Sequence, residues 1–101
     1  MSSIREDFIK AKHILATHRG RINERLIAAG RTGMMSHDES VVPPEIAEEY
    51  LALREKFTGD PSGPGDGLIE KTVIRLSEDD AVALAKEVMY FAQCLLSQPR
   101  N

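Results

Sequence analysis

The chain has 101 residues, of which 42% are hydrophobic and 29% charged, and its formal net charge is −3 at pH 7. That length corresponds to one domain, and the composition is too apolar for an intrinsically disordered chain. No apolar run approaches the roughly 20 residues that span a bilayer, and the N-terminal residues carry charges where a signal peptide would be apolar. One cysteine, Cys94, cannot form an internal disulfide. We therefore expect a single domain over residues 1–101 that functions in the cytoplasm, away from membranes.

The charge is distributed unevenly along the chain. Residues 1–33 carry seven Lys and Arg against three Asp and Glu, a balance of +4, whereas residues 34–101 carry six against thirteen, a balance of −7. Such a split can indicate a half that binds nucleic acid. It is also expected when a basic helix docks on an acidic remainder. We favour this second interpretation because it needs no partner.

The first predicted helix extends over residues 3–29. Ser3 and Glu6 form a capping-box pattern, in which each side chain satisfies an unpaired N–H of the first turn. Apolar residues then recur at intervals of three or four positions, which is the period of one helix face. His18 falls inside this apolar seam, and Gly20 lies opposite it, where a missing side chain leaves no hole.

Two further helices are predicted after a polar connection. Pro43 and Pro44 suit the first turn of a helix that continues to about Phe57. Ser77 opens the run Ser-Glu-Asp-Asp, a strong start signal, so the last helix is predicted over residues 78–97. Its apolar face is wider than the stripes of the other two helices. This width predicts a deeply buried helix with apolar surface left over for a second subunit.

Two segments separate the second and last helices. Residues 58–67 contain four Gly and two Pro and predict a flexible loop. Residues 69–76 are rich in β-branched side chains and could form one short strand. The fold class is therefore mainly α, a small three-helix arrangement with that strand as an optional addition before the last helix. A lone strand needs a partner for its backbone, so the strand and the wide helix together favour a homodimer.

The run Lys71 to Ala81 resembles the start of a ribbon-helix-helix DNA-binding domain, in which a short strand leads directly into a Ser-capped helix. The resemblance implies that two chains pair their strands and present outward side chains to the major groove. In that register Lys71, Val73 and Arg75 would face the bases. The resemblance is confined to this stretch of an acidic half. We keep DNA regulation, through this strand or the basic first helix, as an alternative function.

Other features offer little chemistry. His37 and Asp38 are the first suspects for a metal site, but adjacent residues rarely converge on one ion without a second segment. Cys94 is expected to be a small buried residue, because no activating base accompanies it. The glycine-rich loop lacks the Gly-Lys-Ser/Thr ending of a phosphate-binding loop. We expect no catalytic residue, cofactor or metal, and keep a metal- or small-molecule-binding protein as a further alternative.

The favoured hypothesis is a non-enzymatic protein-interaction or regulatory module, of the accessory-subunit, inhibitor or toxin-neutralising type. The expected partner is a protein, bound through an acidic surface, because residues 34–101 are strongly acidic. The carboxylates expected to steer a basic partner are Glu45, Glu48, Glu49, Asp60 and Asp66.

Overall fold

Helices dominate the computed structural model, which describes residues 3–59 and 66–98. Its α-helices are Ile4–Thr17 (α1), Ile22–Gly30 (α2), Ala47–Thr58 (α3), Asp66–Val73 (α4) and Glu78–Leu96 (α5), with 3-10 turns at Glu39–Val41 and Pro44–Ile46. The predicted mainly α class is confirmed, although these residues form five helices in place of three. No described helix combines the length and the hydropathy needed to cross a bilayer.

The predicted first helix is interrupted between α1 and α2. It begins as expected, with the Ser3 hydroxyl accepting a hydrogen bond from the Glu6 N–H at 3.1 Å. It ends at Thr17, and Gly20 then adopts a φ of +129°, which L side chains rarely adopt. The chain reverses there, and α2 packs against α1. The prediction of one long helix was wrong, and His18 is exposed in the turn instead of lying in an apolar seam.

Helix α4 occupies most of the segment for which a strand was suggested. Ile69 and Val73 lie four residues apart and are both buried on one face of the helix. The side-chain amide of Asn23, from α2, donates to the carbonyl oxygens of Val73 and Leu76, each at 2.9 Å. These bonds satisfy acceptors at the end of α4 that have no partner within the helix. The short strand is therefore not supported, since tertiary contacts outweigh the β-branched composition.

The core is centred on three aromatic rings from α1, α3 and α5. The ring centroid of Phe8 lies 4.9 Å from that of Phe91 and 6.4 Å from that of Tyr50, while Tyr50 and Phe91 are 5.8 Å apart. Such tilted and edge-on pairs are favourable beyond the area they bury. They hold the three helices together at one point.

The connection between α2 and α3 is buried where it passes this core. Met34 and Met35 are fully buried. Two side chains of α3 satisfy the carbonyl groups of this irregular segment. Tyr50 donates its hydroxyl to the Met34 oxygen at 2.6 Å, and Arg54 donates to the Met35 oxygen at 3.2 Å and to the His37 oxygen. The predicted flexible loop lies elsewhere: α3 ends at Thr58 and α4 begins at Asp66, and residues 60–65 lie outside the described residues.

The close crossing of α2 and α4 can be tested at Gly30. A Cβ atom at Gly30 would lie 2.9 Å from Ile69 Cγ2 and 3.1 Å from its Cδ1. We expect Gly30→Ala to lower the free energy of unfolding by about 1–3 kcal/mol through overpacking, although alanine favours a helix. In an Ile69→Ala background, which removes both atoms, the same change should stabilise the fold. Denaturant unfolding of the four proteins measures this coupling, and additive effects would contradict the crossing.

Candidate functional site

A groove of about 400 Å³ lies between α3 and α5. The two helices are antiparallel, because Ile46 and Cys94 lie at one end of the groove whereas Lys56 pairs with Glu87 further along. We call this surface the α3/α5 groove. Its lining comprises Ile46, Glu49, Ala52, Leu53, Lys56, Lys86, Glu87, Tyr90, Phe91 and Cys94.

The Lys56–Glu87 ion pair lies between this groove and a second depression of about 390 Å³, which borders α5 and the turn before it. The second depression is lined by both partners of the ion pair together with Leu76, Asp80, Ala83 and Leu84. The ion pair is itself exposed, so its net contribution to stability is small. The two depressions therefore form one track along α5, crossed by a weak polar bridge.

The surface of the groove is apolar in its floor and charged along its edges. Leu53 and Phe91 are buried beneath it, while Ala52 is exposed and leaves space above them. Tyr90 stands at the wall with 69% of its surface exposed. An exposed aromatic ring beside an apolar floor with charged edges has the composition of a protein-binding surface.

Tyr90 and Cys94 are neighbours on the same wall of the groove. The pKa of Tyr90 is raised. The main cause is a hydrogen bond with the Cys94 side chain, and the second is electrostatic repulsion between Tyr90 and Cys94. Cys94 is partly buried and packs against the edge of the core. The expectation that Cys94 is simply a buried core residue was therefore incomplete, because its position at i+4 from Tyr90 also brings it to the groove.

Three of the predicted acidic residues lie at the start of α3, and one of them reaches the groove. Glu45 precedes α3, Glu48 and Glu49 occupy its first turn, and all three side chains are exposed. Among the described residues none of the three forms an ion pair. Glu49 is the member of the set that lines the groove itself. Their carboxylates also suit the positive end of the α3 dipole, so they have a local structural role as well.

The two remaining acidic residues of the prediction lie apart from that cluster in sequence. Asp60 lies outside the described residues, and Asp66 is the first residue of α4. The structure therefore brings together three of the five predicted carboxylates and gives no account of the other two as a site.

A second polar cluster lies where α1 meets the connection between α2 and α3. Asp7 is only 2% exposed, and its Oδ2 lies 2.6 Å from Nε2 of His37. The main chain of His37 is held in turn, because its N–H donates to the Tyr50 hydroxyl at 3.2 Å and its carbonyl accepts from Arg54. This pair fixes the connection to α1, and no local pattern of the sequence links these residues, which lie thirty positions apart.

The Asp7–His37 pair borders an open depression of about 620 Å³ that also includes Ser36. An aspartate that orients a histidine supplies two of the three members of a hydrolytic triad. Here both carboxylate oxygens of Asp7 are enclosed: Oδ2 pairs with His37 and Oδ1 is buried without a hydrogen-bond partner among the described residues. Asp7 and His37 both line this depression. Because one carboxylate oxygen is occupied by His37 and the other is enclosed, the pair is best explained as a tether between α1 and the connection.

The suspected metal ligands do not converge. His37 faces Asp7, whereas the Asp38 carboxylate accepts from the Ser40 N–H at 2.8 Å, a bond that lowers the pKa of Asp38. Within the part of the chain that the structure describes, no group of three or more His, Cys, Asp or Glu side chains could hold a metal ion.

The residues proposed for DNA contact do not form the expected ribbon. Lys71 lies on α4 and Arg75 in the turn after it, both exposed, whereas Val73 is fully buried. Val73 therefore cannot face bases in this structure. The paired-strand form of the DNA hypothesis loses its structural basis with the strand.

Three arginines of the basic N-terminal third take part in internal contacts. Arg5 donates to the carbonyl oxygens of Leu96 and Gln98, and Arg25 donates to that of Leu15 at 3.3 Å. A third, Arg31, forms an exposed ion pair of 2.8 Å with α4. The contacts of Arg5 and Arg31 agree with the interpretation that basic residues help to dock the first helices on the rest of the chain, whereas Arg25 connects α2 to α1. The use of this surface for nucleic acid stays a prediction.

Comparison with protein-family models, curated proteins and solved structures gives no significant match for this chain. The functional proposal therefore depends on the geometry described above.

The anchoring role of Tyr50 can be measured against the other tyrosine of the chain. Tyr50→Phe leaves the buried Met34 carbonyl without its donor, so we expect the free energy of unfolding to fall by about 1–3 kcal/mol. Tyr90→Phe removes an exposed hydroxyl and should change it by less than about 0.5 kcal/mol. Denaturant unfolding of both variants checks the difference. Equal losses would show that the Tyr50 hydroxyl does not anchor the connection.

The contact between Tyr90 and Cys94 predicts a selective change in tyrosine titration. Burial raises the pKa of Tyr50, whereas the thiol hydrogen bond is the main cause for Tyr90. Cys94→Ala should therefore lower the pKa of Tyr90 towards that of a free tyrosine and leave the pKa of Tyr50 unchanged. NMR of chain labelled at the tyrosine Cζ resolves the two titrations. An unchanged Tyr90 titration would place the thiol away from the ring.

Proposed function

We propose that this chain is a non-enzymatic protein-interaction or regulatory module that binds a partner protein through the α3/α5 groove. The observation that carries the proposal is the exposed Tyr90 ring beside the buried floor formed by Leu53 and Phe91. Aromatic side chains are enriched in protein interfaces because they bury a large area with few rotatable bonds. A partner that covered this ring would remove apolar surface from water.

The acidic cluster of Glu45, Glu48 and Glu49 supports a protein partner further. Glu49 lines the groove, and Glu45 and Glu48 lie near it in sequence at the start of α3. None of the three forms an ion pair among the described residues. Their field would attract a basic partner and orient it before contact. Burial of apolar surface would then supply the affinity. The charges would set the rate of association and the orientation of the partner. An accessory subunit, an inhibitor or a toxin-neutralising protein would act in this way, and we place that role in the cytoplasm.

The homodimer expected from the sequence has lost one of its two grounds. The strand that needed a partner is absent from the described residues, and α5 meets most of its wide apolar face within the chain, against α1, α2 and α3. The large apolar side chains of α5 that remain exposed are those of Val82, Met89 and Tyr90. Native mass spectrometry of the 11.2 kDa chain decides whether this remainder suffices for a dimer.

Site-specific photocrosslinking in cells of the source organism tests the proposed function. A benzophenone amino acid in place of Tyr90 should give a discrete adduct with another protein. The same residue at Ile74, which is also exposed, serves as the matched control and should not give that adduct. Adding Ala52→Glu, which puts a charge into the groove, should abolish the adduct. No adduct at position 90, or the same adduct from both positions, would contradict binding through the groove.

A further inference from the structure

The α3/α5 groove and the second depression have the dimensions of a seat for one helix. Lining residues extend along α5 from Asp80 to Cys94, which corresponds to about 21 Å at 1.5 Å per residue. A helix of about 14 residues has this length. Ala52 on one side and Ala83 on the other are exposed and small. Their size allows a third helix to approach the antiparallel pair closely, as ridges pack into grooves.

Among the described residues, the acidic side chains around this track that form no ion pair lie towards its two ends. The exposed Lys56 and Glu87 pair with each other in the middle, which leaves Lys86 as the one cation of the lining without an ion pair among the described residues. The acidic side chains at the ends are Glu45, Glu48 and Glu49 beside the start of α3 and Glu78, Asp79 and Asp80 at the start of α5. Each set also stabilises the N-terminus of its own helix. Of these six, Glu49 lines the α3/α5 groove and Asp80 lines the second depression, so one carboxylate lies at each end of the track.

From this shape and this charge pattern, we propose that the occupant of the groove is an amphipathic helix of a basic protein partner. The inference depends on the proposed function. The apolar face of that helix covers Tyr90 and the space above Ala52, and its Lys or Arg residues lie in its first and last turns, opposite the two acidic ends. Helix-in-groove recognition of this kind reads apolar positions at i, i+3, i+4 and i+7.

The same charges argue against a second copy of this chain as the occupant. A second copy would insert its α5 into the groove, because α5 carries exposed apolar side chains. The first turn of α5 consists of Glu78, Asp79 and Asp80. If the α5 of the second copy ran antiparallel to the α5 of the first, these carboxylates would lie beside Glu45, Glu48 and Glu49 of the first copy, where like charges repel. A basic helix meets opposite charge at both ends.

The test uses the full chain and a labelled synthetic helix of about 14 residues, with Leu and Ala on one face and Lys in its first and last turns. Fluorescence anisotropy should show binding at least tenfold tighter than for a peptide with Glu in place of Lys. It should also be at least tenfold tighter than for a scrambled peptide of the same composition, whose apolar residues surround the helix. Affinity should fall as the salt concentration rises from about 50 to 500 mM, because exposed charges are screened.

Two pairs of variants locate the binding. Ala52→Glu should weaken binding of the Lys peptide at least tenfold, whereas Ala16→Glu, at an exposed alanine of α1, should not. Glu49→Lys should weaken it more than Glu55→Lys, which makes the same charge change on α3 outside the groove. Circular dichroism of all four variants establishes that they remain folded.

The outcomes separate this inference from the proposed function. Equal binding of the Lys, Glu and scrambled peptides would overturn the basic helix. If the crosslink at Tyr90 still formed with a foreign protein, binding through the groove would survive that result. A dimer in native mass spectrometry that dissociates on Ala52→Glu would assign the groove to a second copy and overturn the inference in a different way.

Discussion

The fold depends on how the irregular segment between α2 and α3 is kept inside the molecule. This segment buries Met34 and Met35 completely, and its carbonyl groups cannot find partners within a helix. Tyr50 and Arg54 supply the donors from α3, and the Arg54 guanidinium lies 5.0 Å from the centroid of the Tyr50 ring. A buried guanidinium is costly unless its N–H groups are paired, so donors and acceptors satisfy each other here. These bonds fix α3 relative to the connection and, through Asp7 and His37, relative to α1.

The position of the groove follows from this anchoring. Helix α3 directs Tyr50, Arg54 and Phe57 inward, at intervals of three and four residues. Its neighbouring face, with Glu49, Ala52 and Lys56, is left beside α5. Because the inward face is fixed by hydrogen bonds and ring contacts, the distance between α3 and α5 is set from the core side. The groove is therefore a preformed surface, and a partner that binds it need not pay for ordering the two helices.

The sequence predicted the parts of the fold that are governed by local chemistry. Ser3 and Ser77 cap α1 and α5 as expected, and α3 ends at Thr58, where Gly59 follows as the C-cap with a left-handed φ of +80°. The helix α4 was missed because its β-branched residues suggested a strand, although the spacing of Ile69 and Val73 already fitted a helix face. Its end depends on Asn23, fifty residues away, which no local pattern reveals. Of the carboxylates predicted to steer a partner, Glu49 lines the groove. The groove itself was not predicted, because it exists only once α3 and α5 are placed side by side.

On α3, the residues that anchor the fold and the residues that line the groove lie on different faces. Effects on binding can therefore be distinguished from effects on folding. Ala52, Glu49 and Lys56 are exposed and contribute little to the core, so changes there alter the surface offered to a partner. Tyr50 and Arg54 hold the connection, so changes there act on the whole fold and only indirectly on the groove. The Tyr90 ring, on the α5 wall of the groove, is 69% exposed beside this face of α3. The coexistence of a firmly anchored inner face and an open apolar track beside Tyr90 is what favours recognition over a purely structural role for α3 and α5.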